Sequence, residues 1–263
     1  MNDNRTEEEP IVPIPAATLV LFRHRVEGPP ELLVVERSAQ MAFAGGAIVF
    51  PGGRIDPDDY RLGERHAIET DEAAARIAAI RETLEESGIA TGFAEMPDAG
   101  WIREARARLH DKQPFSEILP DSGRELDLDS LVPFARWCPP FREARVFDTR
   151  FYLAHAPDDT PDPEVDATEN VSSFWASAQQ VLDAADAGKV NIIFPTRRNL
   201  ERLALFDHFR SAADHARSFE IETVKPYMQE RDGVMHLCIP DHLGYPVTAE
   251  PVSSVRRGSA RPA

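Results

Sequence analysis

Near-continuous apolar runs alternate along this chain with polar, proline-bearing stretches. "AATLVLFRHR" (16–25) and "ELLVVERS" (31–38) are rich in aliphatic and β-branched residues and predict two strands, with "EGPP" as the turn between them. "GGAIVFPGG" (45–53) predicts a short strand bracketed by glycines, and "RIDPDDYRLGERHAIE" (54–69) reads as a loop or partly ordered insertion. From Thr70 the period changes to that of a helix, with Thr70 as N-cap, Asp71 and Glu72 in the first turn and an end near Gly88. Ala73, Ile77, Ile80 and Leu84 form its core stripe, while Ala75, Ala78 and Ala79 leave room beside the opposite face.

Further on, "WIREARARLH" is helical within a stretch of varied character (97–131), and "LVPFARWCPP" (131–140) and "RVFDTRFYLAHA" (145–156) predict strands. After the acidic loop 157–170, "VSSFWAS" predicts a strand running into the helix "AQQVLDAADAG", and 195–219 predicts a helix with a break near Phe206. A hairpin turning at Asp232-Gly233 is expected in 225–246. The pattern predicts an α+β, mixed α/β class. It divides into a flexible lead-in (1–14), a main domain (15–219) with insertions at 54–69 and about 94–130, and a C-terminal extension (220–263) with a flexible end.

The long helix carries a conflict. Glu82 shares a face with Glu85 and Glu86, and each like-charge pair costs a few tenths of a kcal/mol. Glu85 and Glu86 also sit in the last turn, where the helix dipole adds roughly 0.3–1 kcal/mol of penalty per group. A bound cation is one candidate to offset this.

Composition narrows the classes. The 263 residues are 42% hydrophobic, enough for a proper core, and no run approaches a membrane span. The net charge of −16 argues against general nucleic-acid binding. Cys138 and Cys238 are far apart and suggest neither a disulfide framework nor a zinc site, so a reducing cytoplasm is the simplest setting. The polar, acidic start has the character of neither a secretory signal nor a transit peptide. The histidines form no ligand pattern, Phe174 and Trp175 read as core, and Arg197 and Arg198 read as decoration of a helix start.

"RETLEESGI" (81–89) resembles the core of the Nudix box, R-E-U-x-E-E-x-G-U with U apolar, with Thr83 at the first U. Gly52 and Gly53 resemble the glycine pair that opens the box. Gly53 stands 28 positions before Arg81, so the box is split by about fourteen extra residues. The isolated glutamate of the signature falls on Ala73, with Glu72 one step away as a substitute. Such a split box is similar to the peroxisomal acyl-CoA diphosphatase branch of the Nudix hydrolases and its bacterial relatives, as are "AFAGGAIVFPGGRIDPDD" and "FDTRFYLA". The CoA-directed motif upstream of the box is matched at Leu33, Arg37, Ser38, Gly46 and Phe50-Pro51-Gly52-Gly53, but Ala42 replaces its second arginine.

The resemblance implies the Nudix fold, a mixed sheet sandwiched between helices. It implies Mg²⁺ or Mn²⁺ held by Glu82, Glu85, Glu86 and the Gly52 carbonyl, with Arg81 orienting the glutamates. Three carboxylates on one helix face suit a hard cation that wants oxygen ligands. Arg37, Ser38 and Gly53 are the implied substrate contacts, and Glu164 and Glu169 are loop candidates for the catalytic base. A glutamate cluster on a helix is ordinarily a solvated face, but Arg81, Gly88, the FPGG turn and the dipole conflict together outweigh that reading. The expected substrate is a small nucleotide diphosphate, CoA or acyl-CoA first, with ADP-ribose or NADH as the alternative. A Nudix-fold binding or regulatory module without turnover is the rival of another class. No membrane partner is expected, and a homodimer is allowed.

Overall fold

The computed structural model describes residues 12–41, 44–139, 146–157, 160–165 and 170–259. Most of the expected lead-in, Ala42, Glu169 and residues 260–263 lie outside them.

Four strands come first: β1 (Ile14–Arg23), β2 (Glu31–Arg37), β3 (Ala47–Val49) and β4 (Gly52–Arg54). Four helices follow: α1 (Pro57–Gly63), α2 (Thr70–Ser87), α3 (Ala99–His110) and α4 (Phe115–Ile118). Next are β5 (Val132–Trp137), β6 (Phe147–His155), β7 (Asn170–Ala176), α5 (Ala178–Asp186), β8 (Asn191–Ile192), α6 (Phe194–Leu203) and α7 (Phe209–Arg217). The last described elements are β9 (Thr223–Val224), β10 (Tyr227–Arg231), β11 (Val234–Cys238), β12 (Ala249–Pro251) and α8 (Val252–Ser259).

A nine-stranded mixed sheet runs β8-β3-β2-β1-β6-β5-β9, with β4 added to β1 and β7 to β2. At its centre β1 and β6 are parallel, from Ile14 beside Phe147 to Phe22 beside His155. Side chains alternate across a strand, so each central strand feeds two cores. Val20, Phe22, Leu32 and Val34 pack with Leu200 and Leu203 of α6 and Ala212 of α7. Leu19, Leu21 and Leu33 pack with Ile77, Ile80 and Leu84 of α2 and Leu109 of α3. The sheet is thus sandwiched between helical layers, the expected class. Burial on both faces explains why these strands read as continuous apolar runs. A separate three-stranded sheet, β10-β11-β12, follows.

Several local expectations change. "GGAIVFPGG" forms two strands, because Gly52–Arg54 leaves β3 to pair with Ala16–Thr18 of β1. The segment 54–69, expected as a loop or partly ordered insertion, contains the short helix α1. Pro57 is tolerated at its first turn because the N–H it lacks has no helical partner there. The Asp56 amide donates to the Asp59 carboxylate at 2.8 Å. The N-cap of α2 is Glu69 rather than Thr70, since its carboxylate accepts from the amides of Asp71 and Glu72. Ala75, Ala78 and Ala79 leave no open room, for all three are fully buried. Their small side chains instead let α2 lie close against its neighbours. The helix does end at Gly88, in the left-handed conformation with φ 71°. The break near Phe206 separates α6 from α7, and the hairpin turns at Asp232-Gly233, both with positive φ.

Candidate active site

The pairing of β4 with β1 brings the two glycines under the acidic end of α2. A Cβ at Gly53 would strike the Glu82 carboxylate, and one at Gly52 would strike the Ala17 carbonyl and Thr18. Only glycine lets strand and helix approach this closely. The Gly52 amide donates to Glu86 Oε2 at 3.0 Å. The Gly52 N–H thus faces the box.

Arg81 is 6% exposed and organises the cluster. Its Nε and Nη2 donate to the two oxygens of Asp59 at 3.0 and 2.9 Å, a bidentate pair. Nη1 donates to Glu82 Oε1 at 2.7 Å, and Nη2 also reaches the Arg54 carbonyl at 2.9 Å. Burial works against the Arg81 charge, but Glu82 and Asp59 hold its guanidinium well above its ordinary value. Glu85 Oε1 accepts from Lys112 Nζ at 2.9 Å. Glu86 is pushed up to about 8, first by burial and then by the charge of Glu82. Arg37, the Gly52 N–H and Asn170 pull the other way. Asn170 is 2% exposed and faces that carboxylate, although its amide atoms close no hydrogen bond of good geometry.

The dipole conflict has a partner within the protein. Arg106 of α3 donates to the carbonyls of Glu85 and Glu86 at 3.0 and 3.2 Å, and His110 Nε2 lies 2.9 Å from the Glu85 carbonyl. Part of the positive charge sought in a bound cation is therefore supplied by α3. The carboxylates themselves still face one another. Thr83, the departure inside the box, is buried and donates to the Ala79 carbonyl at 2.7 Å, so it leaves no orphan hydroxyl.

Glu82, Glu85, Glu86, Arg81, Arg37, Gly52 and Gly53 all line one cavity of about 970 Å³. Arg54 and Lys112 join them there. Other expected residues stand elsewhere. Ser38 is not among the lining residues, and its carbonyl accepts from the Met41 amide at 3.0 Å in the turn after β2. Glu164 is also absent from the lining, because its carboxylate is drawn to Arg106 at 3.1 Å and stays largely exposed. Glu72, beside the box position at Ala73, is engaged with arginines. It bonds Arg76 and Arg150, each at 3.0 Å, about 20 Å along the helix from Glu86. Arg198 is no surface decoration: it is 2% exposed and bonds Glu201 and Glu250 at 2.8 and 2.9 Å. Asp59, Arg106, Lys112 and Asn170 escaped sequence reasoning because no local motif marks them.

Among the described residues no three His, Cys, Asp or Glu side chains stand grouped as a ready-made metal site. Glu82 and Glu85 turn to Arg81 and Lys112, and Glu86 turns to Gly52. The donor chemistry fits a divalent ion nonetheless. All three are carboxylates on one cavity wall, and the most buried is crowded enough to hold its proton near neutral pH, a state that a hard cation relieves.

No protein-family model matches the chain. A nudix hydrolase of Caenorhabditis elegans is 29% identical over 66% of this chain and 55% of its own length. The acyl-coenzyme A diphosphatase NUDT19 of Gallus gallus is 27% identical over 67% of this chain and 61% of its own. The chain thus spans between half and two thirds of the length of these curated relatives. The crystal structure of a NUDIX hydrolase from Alicyclobacillus acidocaldarius matches with a TM-score of 0.70 at 27% identity, over 78% of this chain and 96% of that one. With the box on the terminal turns of α2, its glycine pair beneath, and this likeness across nearly the whole of a solved relative, the chain is similar in fold and in its box residues to the Nudix hydrolases.

Proposed function

We propose that this chain is a metal-dependent diphosphatase that cleaves CoA or an acyl-CoA to phosphopantetheine, or its acyl form, and adenosine 3′,5′-bisphosphate. The observation that carries this reading is the meeting of Glu82, Glu85, Glu86, Arg81 and the two glycines on the lining of one cavity. Likeness to an acyl-coenzyme A diphosphatase supports the choice of substrate.

Mg²⁺ or Mn²⁺, held by Glu82, Glu85 and Glu86, supplies charge neutralisation and Lewis acidity at the diphosphate. The chain's own groups do the rest. Asp59 fixes Arg81, and Arg81 fixes the Glu82 carboxylate, so the acidic wall is set before substrate arrives. Arg37 and Arg54 line the same space and can meet phosphate oxygens; the Nε of Arg37 is buried with no partner. Water adds across the P–O–P bond, one phosphate taking its oxygen and the other leaving with the bridging oxygen. Glu164 is turned to Arg106, which leaves a box glutamate or Glu169 to accept the proton of that water.

A hydrolysis screen with Mg²⁺ and Mn²⁺ tests this, using CoA, several acyl-CoAs, ADP-ribose, NADH and capped RNA. CoA compounds should turn over fastest and yield adenosine 3′,5′-bisphosphate. Faster turnover of ADP-ribose would replace the substrate, and turnover of none would favour the binding module.

A further inference from the structure

The cavity is lined by residues of two chemical kinds. Besides the charged residues its lining includes an apolar set: Trp137 at the end of β5, Phe147 at the start of β6, Ile193 and Phe194 where β8 meets α6, and Leu237 and Val255. Those last two come from β11 and α8, in the segment that follows the main sheet.

Buried polar bonds bolt that segment in place. Arg198 of α6 donates to Glu250 of β12 at 2.9 Å. The Tyr245 hydroxyl donates to Asn199 of α6 at 3.0 Å and accepts from Trp137 Nε1 at 2.9 Å. Trp137, Asn199 and Tyr245 are all buried, and an unmade hydrogen bond there is costly. Trp137 therefore takes part twice, lining the cavity while its N–H holds the segment.

We propose that the segment carrying β11 and α8 is the specificity wall of this site. With Trp137 and Phe194 it closes a chamber for an apolar tail joined to the diphosphate, and Leu237 and Val255 set the length of tail admitted. Naming that tail an acyl group rests on the proposed reaction. A pocket that offers both convergent charges and an apolar lining suits an amphipathic ligand. Each methylene entering the chamber should tighten binding about fourfold, the transfer gain of one CH₂ group.

Calorimetry on the full chain in EDTA, with CoA, butyryl-CoA, octanoyl-CoA and palmitoyl-CoA, reads the chamber without turnover. The Kd should fall about fourfold per methylene until the chamber is full, then level off. Leu237→Trp and Val255→Trp should each move the levelling point to shorter chains, with thermal unfolding showing that each variant is folded. Two variants on different elements guard against one failing to fold, and the wild-type profile stands without either. Equal Kd for CoA and octanoyl-CoA, or an unchanged levelling point in a folded variant, would overturn the wall. Chain-length-dependent binding without turnover of any CoA compound, with Mg²⁺ or Mn²⁺ added, supports the wall and removes the reaction. Turnover without chain-length dependence keeps the reaction and removes the wall.

Discussion

Two buried clusters of arginine and glutamate sit in this molecule, and they behave in opposite ways. At the end of α2, Arg81 lies among Asp59, Glu82 and Glu85, and its guanidinium is held well above the ordinary value. On α6, burial pushes Arg198 and Arg202 down, because fewer carboxylates face them. Aromatic rings take their place: Arg202 stands 4.3 Å from the Phe134 ring centre and Arg198 5.1 Å from that of Phe194. The first cluster has a surplus of carboxylates and opens onto the cavity. The second has no such surplus and fastens α6 to the chain's later segment. Buried ions by themselves therefore do not mark a reactive site, since both clusters meet the cost of desolvation. What separates them is surplus charge of one sign facing a space large enough for a ligand.

The largest effect that should follow is on stability. Asp59→Ala leaves Arg81 buried with its bidentate partner gone, which should cost about 3–5 kcal/mol in a denaturant titration. A loss below 1 kcal/mol would show that the pair is not what holds the cluster. Next, Glu85→Gln and Glu86→Gln should each lower kcat at least about a hundredfold while keeping the fold, since the lost charge belongs to the acidic wall. Near-normal rates in both would remove that wall from the chemistry. Smaller still, Arg37→Ala should raise KM for CoA relative to dephospho-CoA by about 1–3 kcal/mol, the scale of a charged hydrogen bond to the extra phosphate. Equal losses would separate Arg37 from that phosphate.

The smallest effect concerns the second cluster. Glu201 is pushed up to about 7, mainly by burial, while Arg198 and Arg197 pull it down and Glu250 and Asp186 raise it. Folding thus favours its protonated form. Its contribution to stability is full below an unfolded pKa of about 4.5 and is lost as pH rises through about 7. The melting temperature should decline by a few degrees across that window. Glu201→Gln should flatten the decline, and an equal slope in both proteins would contradict it.

Sequence reading found the end of the box helix, the first two strands, the break before α7 and the Asp232-Gly233 turn. It also placed Arg81, the three glutamates and the two glycines in one candidate site, and the structure gathers these around one cavity. It failed where a residue's partner lies far along the chain. The segment 54–69 read as a loop or partly ordered insertion because α1 within it packs against α2, with Gly63 close to Thr70 and Ala73. Ser38 and Glu164 sat at motif or loop positions, yet their side chains stand outside the cavity lining.

The amino-acid order alone determined what neighbours in sequence impose on each other. Periodicity sets which face of a helix or strand is apolar, and the three glutamates share a helix face whatever surrounds them. Glycine at position 88 permits the left-handed turn that ends α2. Only the tertiary structure decided which distant groups answer those charges: Asp59 for Arg81, Arg106 for the last carbonyls of α2, and Glu250 for Arg198. The partners in those three pairs stand 22, 21 and 52 positions apart. No local rule links residues so separated, because their meeting depends on how the sheet orders its strands and where each helix packs upon it.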